Sequence, residues 1–188
     1  MFRLFAGMLA AACMYGAALA QDISGKAKEA AEALAGQGKF IEALAALDEA
    51  ATALWDRAPL TMRRALWVAE TPNGFGAYNP RENNVFTAGT SMIAYAEPVG
   101  FGWRKSGDLW YTDLIVDLVI KASDGTVLLR KPEFQKLELG SRVRNREFMA
   151  HFTYTFTGIP AGEYVVETTL RDAATGKNGT FSLPFVIR

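Results

Sequence analysis

Phe148-Met149-Ala150-His151-Phe152-Thr153-Tyr154-Thr155-Phe156 decides the fold of this chain. Phe148, Ala150, Phe152, Tyr154 and Phe156 recur at every second position. Successive side chains of a strand point to opposite faces, so this period predicts a half-buried β-strand. Ile159-Pro160-Ala161-Gly162-Glu163-Tyr164 then turns the chain, and Tyr164, Val166, Thr168 and Leu170 resume the alternation. A second turn at Asp172-Ala173-Ala174-Thr175-Gly176-Lys177 leads to Phe181, Leu183, Phe185 and Ile187, which share a face. Three strands joined by short turns predict an antiparallel sheet.

The same reading extends upstream. Ala65 to Glu70 places Leu66 and Val68 on one face and Trp67 on the other, and Val85-Phe86 suits a short strand. Ser91 to Glu97 sets Ile93 and Tyr95 against Met92, Ala94 and Ala96, with Pro98 as its stop. Leu109 to Lys121 is the longest candidate, with Leu114, Val116, Leu118 and Ile120 inward and Asp113, Asp117 and Lys121 outward. Asp124-Gly125 is a hairpin signal, and Val127 to Arg130 returns. Pro132 to Arg146 reads as irregular or as a weak edge strand. Residues 71–84 and 100–108 carry the Gly, Pro and Asn punctuation of loops. Seven or eight strands with no helix between them predict a mainly β chain, an antiparallel sandwich.

Ile159 to Tyr164 resembles the tyrosine corner of immunoglobulin-like and fibronectin-type domains, in which a Tyr near the start of a late strand bonds back to the backbone. The hairpin at Asp172 to Lys177 and the strand at Phe181 to Ile187 are similar to the last two strands of secreted bacterial immunoglobulin-like modules. The resemblance implies an immunoglobulin-like β-sandwich over residues 61–188. Such modules bind, space or assemble, and the cystine pair of antibody domains is absent here.

Ile23 to Arg57 is rich in Ala, Leu, Glu and Lys, which favour helix. Ala27, Ala30, Ala31 and Leu34 form one apolar face. Gly36-Gln37-Gly38 interrupts, and Phe40, Ala43, Leu44, Leu47, Ala51 and Leu54 form a second stripe. This pattern predicts a helical hairpin over residues 21–60, closed by Pro59. Ala30, Leu34, Gly38-Lys39-Phe40, Glu42-Ala43-Leu44, Ala50 or Ala51, and Pro59 resemble one tetratricopeptide repeat. A single repeat cannot bury its own face, so the resemblance implies that the hairpin packs on the sheet domain or on a partner.

Residues 1–20 read as a secretory signal peptide: Arg3, an apolar run from Leu4, then Ala18-Leu19-Ala20 as a cleavage site before Gln21. A periplasmic or secreted location follows, with no membrane span after cleavage. Lipidation of Cys13 is a minor alternative. Cys13 is the only cysteine of the 188 residues, so the mature chain is expected to lack disulfides and thiol chemistry. Lys and Arg number 20, as do Asp and Glu, and Arg3 is the only charged residue of the leader. Near-neutral balance gives no general attraction to nucleic acid.

His151, the only histidine, alternates with the apolar face of its strand and reads as a surface residue. Asp113 and Asp117 share a strand face, as do Glu163 and Glu167. Four residues of strand span about 13 Å, whereas glycosidase carboxyl pairs stand roughly 5 to 9.5 Å apart; only a cross-strand partner such as Glu97 would serve. Gly74-Phe75-Gly76 and Gly100-Phe101-Gly102 lack the strand, helix and third glycine of a phosphate cradle. No catalytic residue, metal site or cofactor is therefore expected.

Two surface features remain. Phe75, Tyr78, Phe101, Trp103, Trp110 and Tyr111 lie in or beside Gly-rich loops, where aromatics stack on sugars, anchor a protein partner, or plug the sandwich ends. Arg142, Arg144 and Arg146 alternate, so an extended backbone would project them on one side, to hold an anionic partner or to guard a strand edge. The expectation is a non-catalytic exported accessory or adaptor protein acting by protein contact in the cell envelope. Glycan binding through the loop aromatics is the alternative, and a hydrolase ranks last.

Overall fold

The computed structural model describes residues 25–188, so the signal-peptide reading of residues 1–20, Cys13 included, lies outside the described residues. The chain divides into two compact units between Arg57 and Ala58. No helix among the described residues is long and apolar enough to cross a membrane.

The first unit is a pair of helices, α1 through residues 25–35 and α2 over Phe40–Arg57. Gly38, at φ 75°, ends α1 in the left-handed conformation that a residue with a Cβ resists. The Lys39 amide donates to Leu34 O and the Gly38 amide to Ala35 O, which satisfies the last carbonyls of α1 in the Schellman pattern. Ala31 and Ala43 are buried, their small side chains allowing close approach, and Trp55 is buried near the end of α2. Most of the apolar stripe predicted on α2 remains in water: Phe40 is 63% exposed, Leu44 63%, Leu47 44% and Leu54 38%, and Ile41, outside the predicted stripe, is 77% exposed.

The second unit is a sandwich of two sheets. Strands β1 (Thr61–Val68), β3 (Ser91–Val99) and β7 (Ala150–Thr155) form one sheet, with β3 in the middle. In the other, β2 (Val85–Phe86) lies parallel to β9 (Asn178–Ile187), followed by β8 (Gly162–Asp172) and β5 (Leu109–Ala122). β6 (Val127–Ser141) pairs with β5 along one edge, and β4 (Arg104–Ser106) pairs with its start on the other. This order is that of an immunoglobulin-like sandwich. Leu114, Val116, Leu118 and Ile120 of β5 face inward, as do Ala150, Phe152 and Tyr154 of β7 and Phe181, Leu183, Phe185 and Ile187 of β9.

Trp67 spans the two layers. Its ring meets Phe86, Tyr154 and Phe185 edge-on at 5.1, 5.9 and 6.2 Å, and its indole N–H donates to Pro184 O at 2.9 Å. The tyrosine corner forms as its sequence implies, with the Tyr164 hydroxyl donating to Pro160 O at 2.9 Å.

Three local readings change. β3 does not stop at Pro98 but continues through it to Val99; β7 flanks β3 only as far as Ala96, so beyond it a residue without an N–H is tolerated. Residues 104–106, expected in a loop, form β4. The chain after Pro132 stays in β6, but three residues, 132–134, bulge opposite Asp117, with Glu133 at φ 49°. Asp117 holds this bulge. Its Oδ1 accepts from the Glu133 amide at 2.8 Å, and the carboxylate is bidentate to Arg171 at 2.7 and 3.1 Å.

Candidate functional site

The predicted aromatic and basic residues do not form one surface. Phe101 is fully buried and packs edge-on against Phe148 at 5.5 Å and Trp103 at 5.2 Å, so it is core. The cause is a buried carboxylate. Asp172 accepts from the Gly102 amide (2.7 Å), the Ala174 amide (2.9 Å) and the Thr175 hydroxyl (2.5 Å), which draws the loop before β4 inward. The Thr112 hydroxyl donates to Gly102 O at 2.9 Å on the same loop. A Cβ on Gly102 would meet Thr175 Cγ2 at 2.3 Å, so the approach requires glycine.

Phe75 and Tyr78 lie in a different region. Tyr78 lies over Tyr95, ring centres 4.2 Å apart, and Arg63 stands 5.8 Å from the Phe75 ring. Tyr95, fully buried, donates to Glu97 at 2.9 Å and accepts from the Gly76 amide at 2.8 Å. Burial, with the Glu97 carboxylate beside it, pushes the Tyr95 hydroxyl up to about 12. His151 lies opposite Tyr95 in the β3–β7 register and is half-buried.

Trp103, Trp110 and Tyr111 are gathered around β5. Tyr111 covers Gly140, where a Cβ would come within 2.9 Å of its ring. Arg104 stands 5.7 Å from the Tyr111 ring, and Lys105 of β4 stands 5.6 Å from the Trp110 ring. Arg144, beyond the end of β6, lies 4.4 Å from Trp110 and 5.9 Å from Trp103. β4 and β6 occupy opposite edges of β5 at Trp110, so cations reach this ring from both sides. The predicted alternation of the arginines is absent: β6 ends at Ser141, and Arg142, Arg144 and Arg146 follow in irregular chain with Arg142 and Arg144 exposed and Arg146 half-buried. They follow directly on the end of β6, a strand paired only with β5.

One carboxylate of each same-face pair is committed elsewhere. Asp117 belongs to Arg171 and the bulge, and Glu167 pairs with Lys121 at 2.8 Å.

The helical unit offers a surface of another kind. A groove of about 400 Å³ runs between its helices, lined by Ala31, Ala35, Phe40, Ala43, Leu44 and Leu47, with Lys28 and Glu32 on its α1 side. Small Ala side chains form the groove and larger ones wall it. Lys28 and Glu32 stand 3.7 Å apart, one turn from each other on an exposed face. The apolar spacing of α2 was visible in the sequence, but periodicity does not say whether a stripe is covered. Neither Ile41 nor the Lys28–Glu32 pair was picked out there.

No protein-family profile matches the chain, and no curated protein does. Among solved structures it is similar to the PKD domain of an M14-like peptidase from a Thermoplasmatales archaeon, at 13% identity and TM-score 0.35, over 69% of this chain and 96% of that one. It is also similar to a Niemann-Pick type C2 protein from the Japanese carpenter ant, at 10% identity and TM-score 0.41, over 70% and 94%. A conjugative transposon lipoprotein from Bacteroides eggerthii matches at 19% identity and TM-score 0.30, over 68% and 96%.

Proposed function

We propose that this is an exported, non-catalytic accessory protein that works by protein–protein contact, with the exposed face of α2 as the contact surface. One observation carries the reading: Phe40, Ile41, Leu44, Leu47 and Leu54 stand 38 to 77% exposed on one 18-residue helix beside an apolar groove. Fully burying each such side chain would contribute about 1.5–3 kcal/mol. A contiguous apolar patch of this kind marks an interaction site. The groove between paired helices suits a helix laid along it. Residues 21–60 serve as a tetratricopeptide-like recognition hairpin, and residues 61–188 as a rigid module that presents it. The leader at residues 1–20 directs the protein to the envelope.

Glycan binding by the loop aromatics is the weaker reading, because Lys105 and Arg144 already flank the Trp110 ring. The test is affinity capture from an envelope extract with wild type and Leu44→Asp. Leu44 is mostly in water, so the substitution leaves the fold intact. Protein retained by wild type and lost by the variant supports the reading; equal retention by both refutes it.

A further inference from the structure

We infer that the bulge at residues 132–134 guards the free edge of β6 and is latched by Asp117, and that releasing it lets the β6 edges of two copies of this chain pair.

Among the described residues β6 pairs only with β5, so its other edge presents unpaired backbone groups along Val127–Ser141. Such an edge is a template for another strand, and two identical edges can meet antiparallel about a twofold axis. Side chains raise the hazard here. Val127, Leu128 and Leu129 are consecutive and 37 to 52% exposed, which leaves apolar surface on both faces of the edge.

The chain counters this directly after the apolar run. Lys131 brings a charge, Pro132 has no N–H to offer a new neighbour, and residues 132–134 bulge opposite Asp117, between the Leu118–Lys131 and Val116–Gln135 pairs. The bulge divides the edge into residues 127–131 and 135–141. Short, bent edges are poor templates.

Three contacts hold the bulge. The Glu133 amide donates to Asp117 Oδ1 at 2.8 Å, Arg171 of β8 fixes that carboxylate from the far side of β5, and the Phe134 ring stacks on Tyr154 of the other sheet at 5.8 Å. Glu133, at φ 49°, is the only residue other than glycine at positive φ among the described residues. Strained backbone persists only where its surroundings over-determine it. Extra length could be absorbed in the turn at Asp124-Gly125; β6 instead keeps it in mid-edge, under strain, where it interrupts pairing.

The test compares Glu133→Thr with Glu133→Gly. Both remove the same exposed carboxylate, but a β-branched residue resists positive φ and glycine accepts it. Asp117→Ala removes the latch, while Asp117→Asn keeps an acceptor oxygen for the Glu133 amide. The readout is sedimentation velocity across about 1 to 200 µM, with circular dichroism to verify that the folds match. Glu133→Thr and Asp117→Ala are expected to associate at concentrations at least about 10-fold lower than wild type, Glu133→Gly or Asp117→Asn. Adding Leu128→Lys, at a side chain half in water, should reverse that association. Adding Leu44→Asp instead should leave it unchanged, which separates this edge from the α2 face. Equal association of Glu133→Thr and Glu133→Gly overturns the inference, as does association that survives Leu128→Lys. Asp117→Ala that stays folded and sediments as wild type does removes the latch; if that variant does not fold, the two Glu133 variants decide alone.

Discussion

The guanidinium of Arg144 lies 4.4 Å from the centre of the Trp110 ring, in a segment that follows the last residue of β6. A planar cation over an indole is attracted by the ring's negative face and covers it. Replacing Arg144 with Ala should therefore uncover Trp110. Acrylamide quenching of tryptophan fluorescence should rise, and the rise should vanish when Trp110→Phe is added. Unchanged quenching in Arg144→Ala would mean that the ring is shielded by something else.

Asp172 is 2% exposed, and its carboxylate takes three donors from two chain segments. Asp172→Ala leaves those donors without their acceptor, two of them backbone amides. Buried donors stripped of partners are costly. The expected loss is about 2–4 kcal/mol in urea unfolding. Trp103 fluorescence should change as the loop is released, because Gly102 is its immediate neighbour. Asp172→Asn, which keeps an acceptor oxygen, should lose less.

The Arg171 guanidinium, with help from the Glu133 amide, holds the Asp117 carboxyl below its ordinary value of 3.8. A carboxyl depressed in the folded state contributes stability that is present above its unfolded value. That contribution is lost as pH falls through the folded value, where the unfolded chain binds the extra proton first. Stability should therefore decline below about pH 4 partly through this pair. Asp117→Asn should show a smaller difference between unfolding at pH 7 and at pH 2.5 than wild type. An identical difference would remove Asp117 from the account.

Strict alternation made the central strands legible: β5 matches the reading of Leu109 to Lys121, β7 forms within Phe148 to Phe156 as Ala150–Thr155, and the tyrosine corner forms as its resemblance implied. Arg104-Lys105-Ser106 was not legible, because a short exposed edge strand has no buried face to impose a period. The bulge at residues 132–134 depends on a bond to Asp117, 16 positions earlier than Glu133, which no local pattern carries. Phe101 sat among glycines, where the pattern left binding and plugging a sandwich end both open. Its burial follows from Asp172, 70 residues away from Gly102, pulling the loop inward. The proposed contact surface was half legible: helical spacing predicted the apolar stripe of α2, but only the folded structure shows that most of it is left in water.

The most direct measurement is photocrosslinking in the cells that make the protein, with a benzophenone amino acid in place of Leu44 in one variant and Trp103 in another. Activation at position 44 should yield a protein adduct, either this chain or another. Position 103 should yield no such adduct. Adducts with glycan at position 103, together with none at position 44, would contradict the account and move the function to the loops of the sandwich.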